Sequence, residues 1–231
     1  MDQVADSLIV FDMDGVLAEV TESYRESIVQ TVKHFTGKTV PRDLIQDYKN
    51  QGGWNNDWKL SQKIAADLGV QVEYQTVIDQ FNVFFLGTNG DGLIQRESWF
   101  PEPGFLERLG QQHALSIFTG RLRYEADITL LRFAPAIPFV PIVCDDDVTM
   151  SKPDPEGLKM VLRAKPAKRV WYIGDTLDDA RCAQAAGVPF IGIAAHTHSK
   201  RDHLVNLFKQ ENAVAIVENV NQIEEIVCPH A

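Results

Sequence analysis

Two aspartates, Asp12 and Asp14, stand one residue apart directly after the apolar run Leu8-Ile9-Val10-Phe11, and Gly15 follows them. Such a pair can supply a nucleophile or metal ligand beside a proton donor. A second acidic group, Asp175 with Asp178 and Asp179, follows Val170-Trp171-Tyr172-Ile173-Gly174. Thr119-Gly120-Arg121 follows Leu115-Ser116-Ile117-Phe118, and Ser151-Lys152-Pro153-Asp154-Pro155 lies a turn beyond Phe139–Cys144. Each group alone is ordinary loop chemistry, because Asp and Gly are common turn residues. Four of them, each at or just beyond the end of an apolar run, are harder to explain that way. Carboxylates about 4 Å apart repel by ~4 kcal/mol at an effective dielectric near 20. Asp12, Asp14 and Asp175, if gathered into one volume, must protonate or hold a cation. Oxygen donors without His or Cys suit a hard ion, in a cell Mg²⁺. Lys152, the Thr119 hydroxyl and the amides around Gly120 add positive charge and donors, which together make a phosphoryl site. In it Asp12 is placed to attack phosphorus and Asp14 to protonate the departing oxygen.

Those residues need a frame that brings them together. Short β-branched and aromatic runs occur at 8–11, 115–118, 139–144, 170–174, 190–194 and 213–217. Continuous apolar runs of this kind read as strands buried on both faces. Helical spacing fills the gaps at about 104–112, 122–133, 155–164, 178–186 and 200–209. Strands alternating with helices predict crossover units and a Rossmann-like parallel sheet flanked by helices, an α/β fold. In such a sheet ligands bind beyond the carboxyl ends of the strands, where the polar groups fall. Residues 17–95 break the rhythm, with helix-like patterning at 20–35, 41–49, 57–68 and 73–86 and a glycine-bearing loop at 82–92. The expected organisation is a catalytic core of 1–16 and 96–231, with 17–95 inserted as a small all-helical domain.

The set Phe11-Asp12-Met13-Asp14-Gly15, Thr119-Gly120-Arg121, Ser151-Lys152-Pro153-Asp154-Pro155 and Gly174-Asp175-Thr176-Leu177-Asp178-Asp179 resembles the four motifs of the haloacid dehalogenase superfamily, in order. The resemblance covers most of the chain outside 17–95, and that insertion looks like the helical cap many members carry after the first motif. It implies Asp12 as a nucleophile that becomes an aspartyl-phosphate, and Asp14 as the acid that later activates water. It implies Mg²⁺ on Asp12, the backbone carbonyl of Asp14, and Asp175. Thr119 and Lys152 would grip phosphate, and Asp179 would stand behind them, orienting Lys152 or a water on the ion. The family's dehalogenases lack the second acid, so Asp14 disfavours carbon–halogen chemistry. Its mutases typically carry a His where Tyr24 stands and an acidic pair where Gly174-Asp175 stands, which favours hydrolysis over transfer. The phosphonate-cleaving branch needs a cap lysine, and none of Lys33, Lys38, Lys49, Lys59 and Lys63 has a distinguishing context. The implied activity is a Mg²⁺-dependent phosphatase acting on a small phosphorylated metabolite. A phosphomutase of the same superfamily and a non-catalytic phosphoryl-binding module are the alternatives.

Lys plus Arg number 22 against 32 Asp plus Glu, a formal charge of −10 that repels a nucleic-acid backbone. No apolar run approaches the ~20 residues of a membrane span, and the start MDQVADS lacks the basic and apolar regions of a signal peptide. A cytoplasmic enzyme without nucleic-acid or membrane partners is expected, its oligomeric state open. Cys144, Cys182 and Cys228 are odd in number and widely spaced, which predicts reduced thiols. Gln51–Lys59 holds Asn55, Asn56 and two Trp. Their amides and indoles either read the substrate or form a loop in which Asp57 caps a helix and Trp58 packs in a core. Tyr24 and Arg25 either reach a substrate anion or line a helix face. Arg121 either binds substrate or lies on the surface. Asp145–Asp147 is expected as a solvated turn, and His196 and His198 as loop residues.

Overall fold

The computed structural model describes residues 5–196 and 200–228. The chain divides into two compact units, Met1–Ala18 with Trp99–Ala231, and Glu19–Ser98. Both divisions fall later than the hydrophobic patterning suggested, for local reasons. The amides of Val16, Leu17 and Ala18 all donate to the Met13 carbonyl, which ties them to the first unit. At the return, Glu97 is buried and accepts from Ser23 Oγ at 3.2 Å, which keeps it with the second.

The first unit carries a six-stranded sheet of β1 (Ala5–Phe11), β4 (Ala114–Phe118), β5 (Phe139–Val143), β6 (Ala167–Gly174), β7 (Phe190–Ile193) and β8 (Ala215–Val217). Their order is β5-β4-β1-β6-β7-β8, and the pairings are parallel. Two-residue strands β2 (Ala18–Glu19) and β3 (Ser98–Trp99) pair separately. Alternation along β1 builds two cores, because successive side chains leave opposite faces of a strand. Ile9 and Phe11 pack with Phe105, Leu109 and Ile117. Leu8 and Val10 pack with Phe118, Tyr172 and Phe208. The first core is closed by α5 (Phe105–Gln112), α6 (Arg123–Phe133) and α10 (Glu224–Val227). The second is closed by α7 (Glu156–Ala164), α8 (Leu177–Ala186) and α9 (Arg201–Gln210). From β1 the chain steps outward to β4 and β5, then resumes at β6 on the other side of β1. That reversal opens a crevice at the carboxyl ends of β1 and β6, where ligands of such sheets bind.

The second unit is helical: α1 (Tyr24–Thr36), α2 (Arg42–Lys49), α3 (Asp57–Asp67) and α4 (Tyr74–Phe85), then a 3₁₀ turn at Leu93–Arg96. Its interior gathers Ile28, Ile45, Leu60, Ile64, Val77 and Phe81. The loop expected at 82–92 begins only after α4, since Asn82–Phe85 form that helix's last turn. Among the described residues no helix is long and apolar enough to cross a membrane.

Candidate active site

Asp12 follows β1 and its amide donates to the Ile173 carbonyl of β6 at 2.8 Å, which fixes it at the crevice. Its carboxylate is buried and accepts from Lys152 Nζ at 2.9 Å. The chain then turns tightly. Gly15 has φ of 73°, and a Cβ placed there would fall on Asp175 Oδ2. A side chain at this position would be both strained and obstructed.

From β6, Gly174 leads into Asp175 and Thr176. Thr176 caps α8: its hydroxyl accepts from the Asp179 amide at 3.2 Å, and Asp179 Oδ2 accepts from the Thr176 amide at 3.1 Å. This reciprocal box fixes Asp179 at the helix start, where negative charge is stabilised. Asp179 Oδ2 also accepts from Thr176 Oγ1 at 2.6 Å, while Oδ1 takes Lys152 Nζ and the Tyr172 hydroxyl, each at 2.8 Å. Lys152 is thus held between two carboxylates, with its ammonium 4.8 Å from the Phe118 ring centroid and 5.4 Å from that of Tyr172.

One ammonium cannot neutralise two buried carboxylates equally. Burial raises the Asp12 pKa to about 7, and the charges of Asp179 and Asp14 push the same way against Lys152. For Asp179 the order reverses. Burial works against ionisation, but Lys152 and the donors Thr176 and Tyr172 hold its carboxyl below the usual range. Burial alone would discharge Lys152, yet the two carboxylates hold its pKa above the ordinary lysine value. Carboxylate oxygens of Asp12, Asp175 and Asp179 all lie within 4.8 Å of one another. Asp179 has both oxygens engaged, by Thr176, Lys152 and Tyr172. The donors are oxygen only, and Asp12 lacks full charge compensation, so the set fits a hard divalent ion.

Thr119 lies at the end of β4, buried, with its amide donating to the Val143 carbonyl at 3.0 Å. Gly120 beside it is exposed. Asp14 behaves differently from Asp12. Its carboxylate is about one-third exposed and meets Arg121, whose Nε donates to Oδ1 at 2.7 Å and whose Nη2 lies 2.6 Å from the same oxygen.

The sequence pattern of the haloacid dehalogenase-like hydrolases matches residues 9–193, the span that contains all these groups. The chain belongs to that family. It is therefore an enzyme, a hydrolase. An imidazoleglycerol-phosphate dehydratase of Phytophthora nicotianae is 31% identical over 194 residues, which cover 80% of this hydrolase and 42% of the relative. The hydrolase accordingly spans less than half of that protein. A pyrophosphatase of Bacillus velezensis is 24% identical over 189 residues, covering 80% of this chain and 82% of the other. A structure described as a haloacid dehalogenase-like hydrolase of Bacteroides fragilis superposes with a TM-score of 0.76 at 23% identity, covering 94% of this chain and 98% of that one. That likeness establishes the shared fold.

The remaining residues singled out in the sequence take the following places. Arg121 is not a surface arginine: it is 1% exposed, and its guanidinium meets Asp14 and Thr129. Within the second unit Tyr24 is core, its ring 4.0 Å from that of Phe85, and Arg25 donates to Gln46 Oε1 at 2.6 Å. Asn56, not Asp57, caps α3, accepting from the Lys59 amide at 2.9 Å; Asp57 pairs with Lys49 at 2.8 Å. Asn55 is half-buried in the same loop. Asp145–Asp147 form a turn, in which Asp147 pairs with Arg123. His196 pairs with Glu218, and His198 lies outside the described residues. The three cysteines are unpaired with one another, Cys144 and Cys182 buried. Tyr172, Phe118 and Thr176 were missed as site residues. Only Tyr172 left a trace, a hydroxyl inside the apolar run 170–174.

Proposed function

We propose that this hydrolase is a Mg²⁺-dependent phosphatase that cleaves a small phosphorylated metabolite through an aspartyl-phosphate on Asp12. The observation that carries the reading is a buried carboxylate at the sheet's carboxyl edge, bonded through Oδ1 to Lys152 with Asp175 alongside. In this reading Asp12 Oδ2 attacks phosphorus while Asp14 passes a proton to the departing oxygen. Asp14 then takes a proton from the incoming water, which breaks the acyl-phosphate bond and restores Asp12. Lys152, the Thr119 hydroxyl and the Gly120 amide hold the phosphoryl oxygens. Asp12, the Asp14 carbonyl and Asp175 would hold Mg²⁺, which when bound supplies positive charge against the phosphoryl group. Asp179 keeps Lys152 in place. The second unit serves as a cap, and its loop around Asn55 contributes to choice of leaving group, with Asn56 spent on the start of α3.

Two relatives support the substrate class by name, one a pyrophosphatase and the other a dehydratase of imidazoleglycerol phosphate. The acidic charge of −10 argues against nucleic acid, and the absence of a spanning helix among the described residues fits a cytoplasmic enzyme. The test is turnover of 4-nitrophenyl phosphate and a panel of phosphorylated metabolites by the purified protein. Activity should require Mg²⁺, disappear with EDTA and fall at least ~10³-fold in Asp12→Asn, since removing a covalent nucleophile leaves little catalysis. Failure to turn over any member of the panel with Mg²⁺ present overturns the reading.

A further inference from the structure

We infer that Arg121 is a positioning residue that aims the Asp14 carboxylate and thereby sets how well poor leaving groups are expelled, an inference that rests on the phosphatase reading above. A buried guanidinium needs partners, because burying its charge without them is costly. Arg121 finds them in two directions. Its Nε and Nη2 converge on the single oxygen Asp14 Oδ1 at 2.7 and 2.6 Å, and its Nη1 donates to Thr129 Oγ1 of α6 at 2.6 Å. Its backbone is fixed as well, with the amide donating to Thr119 Oγ1 at 3.2 Å and the carbonyl accepting from the Asp145 amide at 2.9 Å. The side chain is fully buried, while Asp14 is about one-third exposed.

An aspartate side chain at a partly exposed turn samples several rotamers, and proton transfer requires one of them. Pinning Oδ1 selects one and leaves Oδ2 for the proton. The same tripeptide, Thr119-Gly120-Arg121, therefore bears a phosphate-gripping hydroxyl at one end and the holder of the acid at the other. An apolar side chain of similar size would fill the space without a buried charge to desolvate. The guanidinium adds direction.

The experiment uses the whole protein with Mg²⁺ and three esters of nearly equal shape: 4-nitrophenyl, phenyl and 4-methoxyphenyl phosphate. Nitrophenolate leaves almost unaided; methoxyphenolate needs a proton. Arg121→Met should lose about 5-fold in kcat/KM on the nitro ester and about 10²-fold on the methoxy ester, mostly in kcat, in line with the worth of a general acid. Arg121→Lys should fall between. In an Asp14→Asn background the same Arg121→Met change should cost less than about 2-fold, because two residues acting as a unit are not additive. A loss equal across the three esters, or undiminished in Asp14→Asn, overturns the inference. Should Arg121→Met fail to fold by thermal melting, Thr129→Val decides. It loosens the far end of the guanidinium and should steepen the leaving-group dependence about 3-fold, and an unchanged dependence overturns the inference. A wild type inert towards all three esters and the metabolite panel overturns the phosphatase reading and the inference with it. An active wild type with a dead Asp12→Asn and an unchanged slope in the Arg121 variants overturns the inference alone.

Discussion

The Tyr172 hydroxyl donates to Asp179 Oδ1 at 2.8 Å, the same oxygen that receives the Lys152 ammonium at 2.8 Å. Tyr172 is wholly buried, and burial, with the Asp179 and Asp12 charges behind it, pushes its phenol well above the usual range, so it acts only as a neutral donor. Tyr172→Phe keeps the ring beside Lys152 and removes that donor. Asp179 retains Lys152 and Thr176, so the cost should be about 1–2 kcal/mol, the scale of a lost hydrogen bond to a buried charge. Turnover of 4-nitrophenyl phosphate should fall about 3- to 10-fold as Lys152 gains freedom. Urea denaturation and kcat on the same sample check both, and a variant indistinguishable from wild type in each would remove Tyr172 from the site.

How much of this was legible beforehand follows from what side-chain patterns record. The strands β1, β4, β5, β6, β7 and β8 were visible because each contains a continuous apolar run. The early part of β6, from Ala167 through the exposed Lys168 and Arg169, was hidden by its charges. Strands β2 and β3 are two residues long, too short for any period, and α10 is a single turn. Asp12 and Asp175 stood out because polar residues directly after buried strands have no packing reason to be there. Lys152 lies past the turn after β5 and Asp179 within α8, and they stood out only as parts of their motifs. Arg121 could be located but not oriented. Nothing in linear spacing says that its guanidinium turns inward towards Asp14 and Thr129 rather than outward. Asn56 and Asp57 differ by one position, and helix starts are not resolved that finely from composition.

Gly15 tests the close fit of the first turn against Asp175. Gly15→Ala places a methyl on Asp175 Oδ2 and forces a side chain into φ near 73°. The backbone conformation alone should cost about 1–2 kcal/mol. Asp175 must move as well, so the Mg²⁺ concentration for half-maximal activity should rise about 10-fold or more, a loss of roughly 1.4 kcal/mol in ion binding. Titration of activity with MgCl₂ reads this directly. An unchanged Mg²⁺ requirement would mean that Asp175 does not contact the ion.

Lys152 stabilises two buried carboxylates, and its removal should be felt before any substrate is added. In Lys152→Ala the Asp12 carboxyl, which burial already raises to about 7 against the pull of Lys152, takes a proton more readily still, while Asp179 keeps its charge among fewer donors. Breaking a buried ion pair on one side costs about 3–5 kcal/mol. With Asp12 partly relieved by protonation, the low end, about 3 kcal/mol, is expected in urea denaturation at pH 7. Millimolar Mg²⁺ should restore more stability to Lys152→Ala than to wild type, since a cation near Asp12 replaces part of the missing charge. Equal Mg²⁺ stabilisation of both proteins would argue that the ion and the ammonium do not share a site.

Far from these groups, at the opposite end of β1, His113 lies buried between two hydrogen-bonding neighbours. Its Nδ1 is 2.6 Å from Ser7 Oγ, its Nε2 is 3.1 Å from Cys228 Sγ, and its ring meets Trp171 edge-on. Burial first, and the Arg169 charge second, hold its pKa below the usual 6.5. Above that pH both folded and unfolded chains carry a neutral imidazole, and His113 makes no pH-dependent contribution. As the pH falls below 6.5 the unfolded chain takes up a proton that the folded one resists. Stability then declines by up to about 1.4 kcal/mol per pH unit from this residue, until the folded imidazole also protonates. His113→Gln removes that proton from the balance. The wild-type and variant stabilities, measured by urea unfolding from pH 8 to pH 5, should run parallel above 6.5, with the wild type declining more steeply below it. Carboxylates elsewhere act alike on both proteins, so the difference between the curves isolates His113, and curves parallel throughout would show that its folded imidazole protonates as readily as a free one.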